Sequence, residues 1–273
     1  MKLADSVGVI GGGVVGRAVA RGFLEHVGEV RIYDKDPLRG THGLRHAVES
    51  DVTFLALPTP FDPVLGLSES VIEEFLSSIA GHDGRLVIKS TLMPGVTERL
   101  ACQYELPGLV HSAEFLTARA AHTDFQSPSR NIVGYTTANS KEGEDNASNW
   151  LVDFYKKRFP GVPVFRLPAA GSELIKMACN AFFSSKVIFF NQVHQLCGAL
   201  GLRYEEVLQG MLTDGRLGSS HTSIPGPDGR FGSGGACFTK DHPAFAVLQK
   251  ALGLDASVTE ATTKYNRSIR GKE

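Results

Sequence analysis

Short apolar runs alternate with longer amphipathic segments over the first 166 residues. The short runs are rich in β-branched residues, and the segments between them have apolar positions at helical spacing. The runs predict strands at 6–10, 29–33, 51–57, 85–89, 108–111, 131–135 and 162–166. The intervening segments predict helices at 14–26, 68–80, 95–102 and 142–157. This alternation is typical of a parallel sheet covered by helices, in the α/β class.

The pattern becomes helical after Pro168. Residues 169–200 predict one long helix, whose apolar positions cover more than one side and indicate burial on several sides. Further helices are predicted at 204–212, 240–252 and 256–269, with a loop rich in Gly, Ser and Pro over 214–237. We therefore expect a smaller, all-helical domain over 167–273, with the 169–200 helix as its spine and as the surface that joins two copies in a homodimer.

Three glycines follow the first strand in a G-x-G-x-x-G motif, Gly11, Gly13 and Gly16. In dinucleotide-binding folds the first makes the turn, the second admits the pyrophosphate and the third packs helix on strand. Asp34 ends the second strand, where a carboxylate binds the ribose 2′-hydroxyl and repels a 2′-phosphate. The motif predicts a Rossmann-like domain over 1–166 that prefers NAD to NADP. The alternative is a structural glycine turn with an unrelated aspartate.

Charge and cysteine content narrow the function classes. Twenty-eight Lys and Arg balance 29 Asp and Glu, so nucleic acid and anionic membranes are not expected partners. The four cysteines lie far apart and predict a reducing compartment without a metal site. The chain opens without a signal peptide pattern and contains no apolar run of about 18 residues. We expect a cytoplasmic protein.

Cys237 follows a pair of glycines in the loop before a predicted helix. Because proline is tolerated in the first turn of a helix, Pro243 predicts that this helix begins at 239–242. Cys237 would then lie just ahead of a helix N-terminus, which favours the thiolate. We predict that Cys237 is a nucleophile, with Asp241 on the same helix face. The other cysteines are expected to be inert packing residues.

Four polar residues share one face of the long helix: Glu173, Lys176, Asn180 and Ser184. They form either a solvated face or a set of buried groups, in which Lys176 and Asn180 could hold an oxyanion or a water molecule. The spacing alone leaves both interpretations open.

Eight segments, in order, resemble the successive motifs of the UDP-glucose/GDP-mannose dehydrogenases. They are GGGVVG (11–16), LPTP (57–60), STLMPGVT (90–97), SAEFL (112–116), DFQSPSRNIVG (124–134), ELIKMACNAFFSSKVIFFNQ (173–192), DGRLG (214–218) and GSGGACFTKD (232–241). The resemblance implies oxidation of the primary alcohol of a nucleotide sugar to a carboxylate by two NAD molecules. Cys237 would carry the thiohemiacetal and the thioester.

The resemblance also implies roles for individual residues. Lys176 and Asn180 would stabilise the oxyanion, Asp241 would organise the water or base network, and Glu114 would be the base for hydrolysis, with Thr91 nearby. The implied cofactor contacts are Gly11, Gly13, Val14, Val15, Gly16, Asp34, Arg39, Pro58, Thr59, Pro60, Ser90 and Thr91. The implied substrate contacts are Phe115, Leu116, Arg216, Arg230, Phe231, Gly232 and Gly234, with Arg216 reaching a neighbouring subunit's site.

Three features depart from that family. Its second glutamate in N-P-E-F-L-x-E-G is replaced by Ala118, and the segment from Asp34 to Asp51 is short. The C-terminal domain that grips the nucleotide is not represented, so we expect a short form with a smaller or more weakly bound substrate.

Three other interpretations stay open. One is the same chemistry on the 5′-alcohol of a nucleoside or nucleotide. Another is a single-step β-hydroxyacid dehydrogenase, against which the GGACFTKD segment argues. The third is a non-catalytic NAD-binding subunit that needs a partner.

Overall fold

The structure is a computed structural model that describes residues 2–140 and 146–271. The chain divides into two compact units. The first consists of Met1–Pro60 and Ser68–Lys176, and the second of Phe61–Leu67 and Met177–Glu273. The predicted boundary at residue 166 lies ahead of the long helix, whereas the compact units divide within it.

The described residues form the following strands and helices. Strands β1 to β9 are Ser6–Ile10, Glu29–Tyr33, Val52–Leu55, Phe61–Asp62, Gly66–Leu67, Leu86–Ile88, Leu109–His111, Asn131–Tyr135 and Val164–Pro168. Helices α1 to α10 are Val14–Phe23, Leu44–Val48, Ser70–Ser77, Val96–Gln103, Ala121–Gln126, Ala147–Arg158, Ala169–Ala199, Tyr204–Met211, Gly235–Ala251 and Ser257–Arg270.

All seven predicted strands and all eight predicted helices are present in the described residues. α2, α5 and the β4–β5 pair were not predicted, because they are too short to show a period. Of the helix predicted over 142–157, residues 142–145 lie outside the described residues, and α6 begins at Ala147.

The first unit is built on a seven-stranded sheet of order β2-β1-β3-β6-β7-β8-β9 in the described residues. Alternate side chains of its strands enter opposite cores: Leu86 and Ile88 pack on one face, and Val87 on the other. Each such buried aliphatic side chain contributes about 1.5–3 kcal/mol. Burial on both faces explains why the strands have continuous apolar runs.

The predicted parallel sheet is present, with one antiparallel strand pair in the described residues. β8 runs antiparallel to β7, through the pair His111 and Gly134, and parallel to β9. An apolar run shows that a strand is buried on both faces but carries no information about its direction, so the sequence did not reveal this reversal.

The second unit contains the antiparallel β4–β5 pair, against which α9 packs, in addition to its helices. The predicted start of α9 is wrong. The helix begins at Gly235, so Cys237 lies in its first turn and Pro243 lies in its interior. Proline removes one helical hydrogen bond, but the packing of α9 against β4, β5 and α10 outweighs that loss, so Pro243 does not mark the helix start.

We find no helix among the described residues with the length and apolar character needed to cross a membrane.

Candidate active site

The glycine loop between β1 and α1 has the geometry of a phosphate-binding turn. Gly11 has φ +101°, which favours glycine, and a Cβ on Gly16 would lie 1.8 Å from the Gly11 carbonyl oxygen. Gly13 precedes α1, and apart from Gly13 and its two chain neighbours no atom of the described residues lies within 4 Å of where its Cβ would be. The first and third glycines are therefore required by the fold, whereas Gly13 leaves the helix N-terminus open to a ligand.

Asp34 lies beside this loop, just beyond β2. Its carboxylate accepts hydrogen bonds from the backbone N–H of Gly12, at 2.6 Å, and of Asp36, at 2.8 Å. Arg39 is paired with Asp36 at 3.2 Å. This arrangement fits the adenosine ribose of a dinucleotide, because a carboxylate stands at the carboxyl end of the strand next to β1.

The other implied cofactor residues follow neighbouring parallel strands. Pro58, Thr59 and Pro60 follow β3, and Ser90 and Thr91 follow β6. Ser90 Oγ accepts a hydrogen bond from Leu57 N at 3.0 Å and donates to Leu57 O at 2.6 Å, which joins the two segments. They share the sheet edge at which dinucleotides bind in open α/β folds. The implied contacts on α1 differ in accessibility: Val14 is exposed, whereas Val15 is half-buried.

Glu114 and Lys176 form a buried ion pair in the first unit. Lys176 Nζ donates to Glu114 Oε1 at 3.0 Å, and the second carboxylate oxygen accepts from Leu116 N at 2.6 Å. Lys176 Nζ also lies 5.5 Å from the ring centre of Phe115. Because each charge has a partner, the pair can be kept away from water. The structure thus brings two predicted catalytic residues into direct contact.

Lys89 is a second buried lysine near this pair, and the sequence analysis did not single it out. Its Nζ donates to Ser112 Oγ and to Ala113 O, both at 3.3 Å. Burial lowers the pKa of Lys89 to about 7; Glu114 raises this pKa and Lys176 lowers it. The signal that could have identified Lys89 is a lysine placed directly after a buried strand.

A cavity of about 330 Å³ opens beside these groups within the first unit. Its wall includes Lys89, Glu114, Phe115, Arg130 and Tyr155. A cavity with charged side chains and aromatic rings in its wall can hold water or a small polar group next to Glu114.

The polar face of α7 is buried rather than solvated. Glu173 accepts hydrogen bonds from Gly95 N, Thr97 N and Thr97 Oγ. Gly95 is the N-cap residue of α4 and has no side chain to cap the helix, so the Glu173 carboxylate takes this role. Burial raises the pKa of Glu173 to about 7. Ser184 Oγ donates to Ser233 Oγ at 2.9 Å in the second unit. Glu173 and Ser184 therefore have structural partners.

Asn180 and Asp241 meet in the second unit. Asn180 Nδ2 donates to Asp241 Oδ2 at 2.6 Å, and Asp241 Oδ1 accepts from Lys240 Nζ at 2.6 Å. Asp241 is fully buried. The bond joins α7 to α9, the helix that carries Cys237.

Cys237 is exposed in the first turn of α9, where backbone N–H groups stabilise negative charge. The loop ahead of it is held from two sides. Asn191 Oδ1 of α7 accepts from Gly232 N at 3.0 Å, and the side chain of Asn266 in α10 bonds both the N–H and the C=O of Ser233. The loop that presents the cysteine is therefore anchored to α7 and to α10.

Gly234 lies against the side chain of a second residue of α10. A Cβ on Gly234 would lie 2.1 Å from the guanidinium carbon of Arg270, which also pairs with Asp228. Asn266 and Arg270 were not predicted as site residues, because only the packing of α10 brings them to this loop.

The predicted substrate arginines have partners within the second unit. Arg216 is exposed and pairs with Asp214 at 2.6 Å, and Arg230 Nη2 donates to Arg270 O at 2.7 Å. Phe231 is partly exposed, with its ring centre 5.3 Å from that of His194.

Comparisons with known proteins place these features in a family. Residues 170–268 match the central domain of the UDP-glucose/GDP-mannose dehydrogenase family. UDP-glucose 6-dehydrogenase AglM of Haloferax volcanii is 29% identical over 256 residues, which are 87% of this chain and 57% of that protein. A UDP-glucose 6-dehydrogenase of Rhizobium meliloti is 30% identical over 243 residues, 84% of this chain and 53% of that protein.

Solved structures share the fold. A UDP-glucose dehydrogenase from the hyperthermophilic archaeon Pyrobaculum islandicum has a TM-score of 0.82 at 27% identity, covering 97% of this chain and 68% of that one. A 3-hydroxyisobutyrate dehydrogenase from Mycobacterium tuberculosis has a TM-score of 0.74 at 15% identity, covering 97% of this chain and 94% of that one. The second likeness shows the fold alone. The chain spans about half the length of the curated relatives it matches.

Proposed function

Because the chain belongs to the UDP-glucose/GDP-mannose dehydrogenase family, we propose that it is an NAD-dependent dehydrogenase acting on a primary alcohol of a nucleotide-sugar-like substrate. The product is a carboxylate, formed through a thioester on Cys237. The observation that carries the proposal is that α7 buries Lys176 and Asn180 on successive turns, each against its own carboxylate.

The glycine loop and Asp34 fit NAD. The open position at Gly13 would admit the pyrophosphate to the α1 N-terminus, and Asp34 would accept hydrogen bonds from the ribose hydroxyls. When bound, NAD supplies the hydride acceptor for both oxidations.

Cys237 is the nucleophile of the second oxidation. Its thiolate adds to the carbonyl carbon of the aldehyde, so that a C–S bond forms and the oxygen becomes an alkoxide. The ammonium of Lys176 and the amide of Asn180 stabilise this charge. The alkoxide would then re-form the C=O bond as hydride leaves the same carbon for the acceptor that NAD would supply, which leaves a thioester.

Glu114 is the base for hydrolysis of that thioester. Its carboxylate takes a proton from water, the hydroxide adds to the carbonyl, and the C–S bond breaks to return the thiolate and release the acid. Lys176 pairs with the Glu114 carboxylate through the 3.0 Å contact and so holds it in place. Asp241 orients the amide of Asn180 at 2.6 Å.

The second unit supports a homodimer built on α7. Three large apolar side chains stand exposed on this helix at seven-residue spacing: Phe182 (62%), Phe189 (52%) and Leu196 (61%). A stripe with this period matches a second copy of itself in helix–helix packing.

The test is the stoichiometry of NADH formed per alcohol consumed. The chain is incubated with UDP-glucose, a sugar phosphate and nucleoside monophosphates, each with NAD. The proposal is supported if the wild type forms two NADH per substrate, while Cys237→Ser still binds NAD but releases no acid. If Cys237→Ser also forms two NADH per substrate, the proposal is contradicted. If the protein oxidises a nucleoside 5′-alcohol instead, the proposed substrate is wrong and the proposed mechanism is kept.

A further inference from the structure

Lys89 ties the end of β6 to the segment that leads into Glu114. Its two acceptors, Ser112 Oγ and Ala113 O, belong to the residues immediately before Glu114, and both bonds are 3.3 Å long. Lys89 is buried, with 5% of its surface exposed. A buried ammonium is costly unless it has partners, so its position beside Glu114 calls for a role.

Two of the titratable groups around Lys89 carry charges that act on it, Glu114 and Lys176. Burial keeps His111 neutral, with its pKa lowered to about 3, and raises the pKa of Tyr155, whose hydroxyl bonds Ser112 Oγ at 3.0 Å. Glu114 favours the protonated amine, and Lys176 disfavours it.

Lys89 and Glu114 line the same cavity of about 330 Å³. Asp124 and Arg130 are the other charged groups in its wall. The cavity is large enough for several water molecules, so Lys89 stands beside the place where Glu114 would activate water.

We propose that Lys89 is a positioning residue for Glu114, acting through its bonds to Ser112 and Ala113 and through its charge beside the Glu114–Lys176 pair. This inference rests on the proposed function of Glu114 as a base. Protonated Lys89 stabilises the carboxylate, and its hydrogen bonds hold the backbone from which Glu114 projects. Because the pKa of Lys89 is about 7, its charge changes near neutrality and couples hydrolysis to pH.

The first experiment follows the side-chain amine of Lys89 by ¹⁵N NMR titration and needs no substrate. Lys89→Met assigns the signal, and Lys35→Met, at an exposed lysine, is the matched control. We expect a midpoint near 7, against about 10.4 for an ordinary lysine. The midpoint falls in Glu114→Gln, because an attractive charge is lost, and rises in Lys176→Met, because a repulsive one is lost. A midpoint near 10 that is the same in Glu114→Gln and in Lys176→Met overturns the coupling of Lys89 to the Glu114–Lys176 pair.

The second experiment compares hydrolysis in Lys89→Arg and Lys89→Met. After a burst of two NADH per site, we expect turnover of Lys89→Met to slow about tenfold, with the acidic limb of its pH–rate profile moved to higher pH. Lys89→Arg keeps the charge and restores the wild-type limb. NAD affinity is unchanged in both, because Lys89 acts on Glu114.

The outcomes separate the two proposals. If Lys89→Arg and Lys89→Met lose the same amount of turnover and the acidic limb of the pH–rate profile does not move, the role of Lys89 is structural only and the inference is overturned. Wild-type turnover in Lys89→Met also overturns it. A wild-type chain that makes no NADH from any alcohol overturns the proposed function, and the Lys89 inference is then decided by the titration alone.

Discussion

The side-chain amide of Asn180 donates a 2.6 Å hydrogen bond to the buried carboxylate of Asp241. Asp241 lies one helical turn after Cys237 on α9, so the bond fixes the cysteine helix to α7. A buried carboxylate is costly without partners, and Lys240 supplies the second one at 2.6 Å. The same contact therefore serves stability and the orientation of a predicted catalytic amide.

Asp241→Asn is expected to destabilise the protein by about 1–3 kcal/mol, because a buried charge-assisted hydrogen bond is replaced by two facing amides. Urea unfolding followed by circular dichroism measures the loss. Asp153→Asn, at an exposed position of α6, is the matched control and should leave stability unchanged. Equal stability of Asp241→Asn and the wild type would show that the contact contributes nothing.

Gly13→Ala and Gly16→Ala are expected to separate ligand binding from folding. Apart from Gly13 and its two chain neighbours, a Cβ on Gly13 meets none of the described atoms within 4 Å and φ is −74°, so the variant folds but binds NAD about tenfold more weakly. A Cβ on Gly16 would stand 1.8 Å from a carbonyl oxygen, so this variant loses about 1–3 kcal/mol of stability. Calorimetric NAD binding and thermal unfolding check both. Undiminished NAD affinity in Gly13→Ala would exclude the glycine loop as the pyrophosphate site.

NAD is expected to bind at least about tenfold more tightly than NADP, because Asp34 repels a 2′-phosphate. The basic neighbours that could accept this phosphate are already paired: Lys35 with Glu74 at 3.4 Å, and Arg39 with Asp36 at 3.2 Å. Titration of both cofactors measures the ratio, and Asp34→Ser should reduce it. Equal affinities in the wild type would refute the assignment of Asp34.

Phe189→Glu is expected to convert a homodimer into a monomer of 29.4 kDa, because it places a charge in the exposed apolar stripe of α7. Light scattering at micromolar concentration measures the mass. Phe165→Glu, at an equally exposed position of β9 outside that stripe, is the control and should leave the dimer intact. A wild-type mass of 29.4 kDa would refute the dimer.

His242 is expected to make stability depend on pH below neutrality. It bridges Ser185 and Thr263 in the second unit, and burial lowers its pKa to about 4 from 6.5. Between these values the unfolded chain binds the proton that the folded chain excludes, so stability falls as pH falls from 6.5 towards 4. The loss reaches about 2 kcal/mol at pH 5.

The measurement is urea unfolding at pH 7 and pH 5. His242→Gln should flatten the pH dependence, whereas His122→Gln, at an exposed histidine, should not. Equal slopes in the wild type and His242→Gln would show that another group titrates.

Much of the fold follows from local sequence pattern. The strands at 6–10, 29–33 and 131–135 have their predicted bounds, and the long helix over 169–200 is present as Ala169–Ala199. Periodicity and glycine turns are properties of neighbouring residues, so they can be identified without the tertiary structure. For the same reason the glycine loop and the cysteine motif could be recognised as candidate sites.

The contacts of the site depend on residues far apart in the chain. Lys176 meets Glu114 across 62 positions, and Asn266 meets Ser233 across 33. Packing alone decided that the polar face of α7 is buried, that β8 reverses its direction, and that α9 begins early enough to include Cys237. Burial and long-range hydrogen bonding depend on which surfaces meet, and local periodicity does not encode that choice.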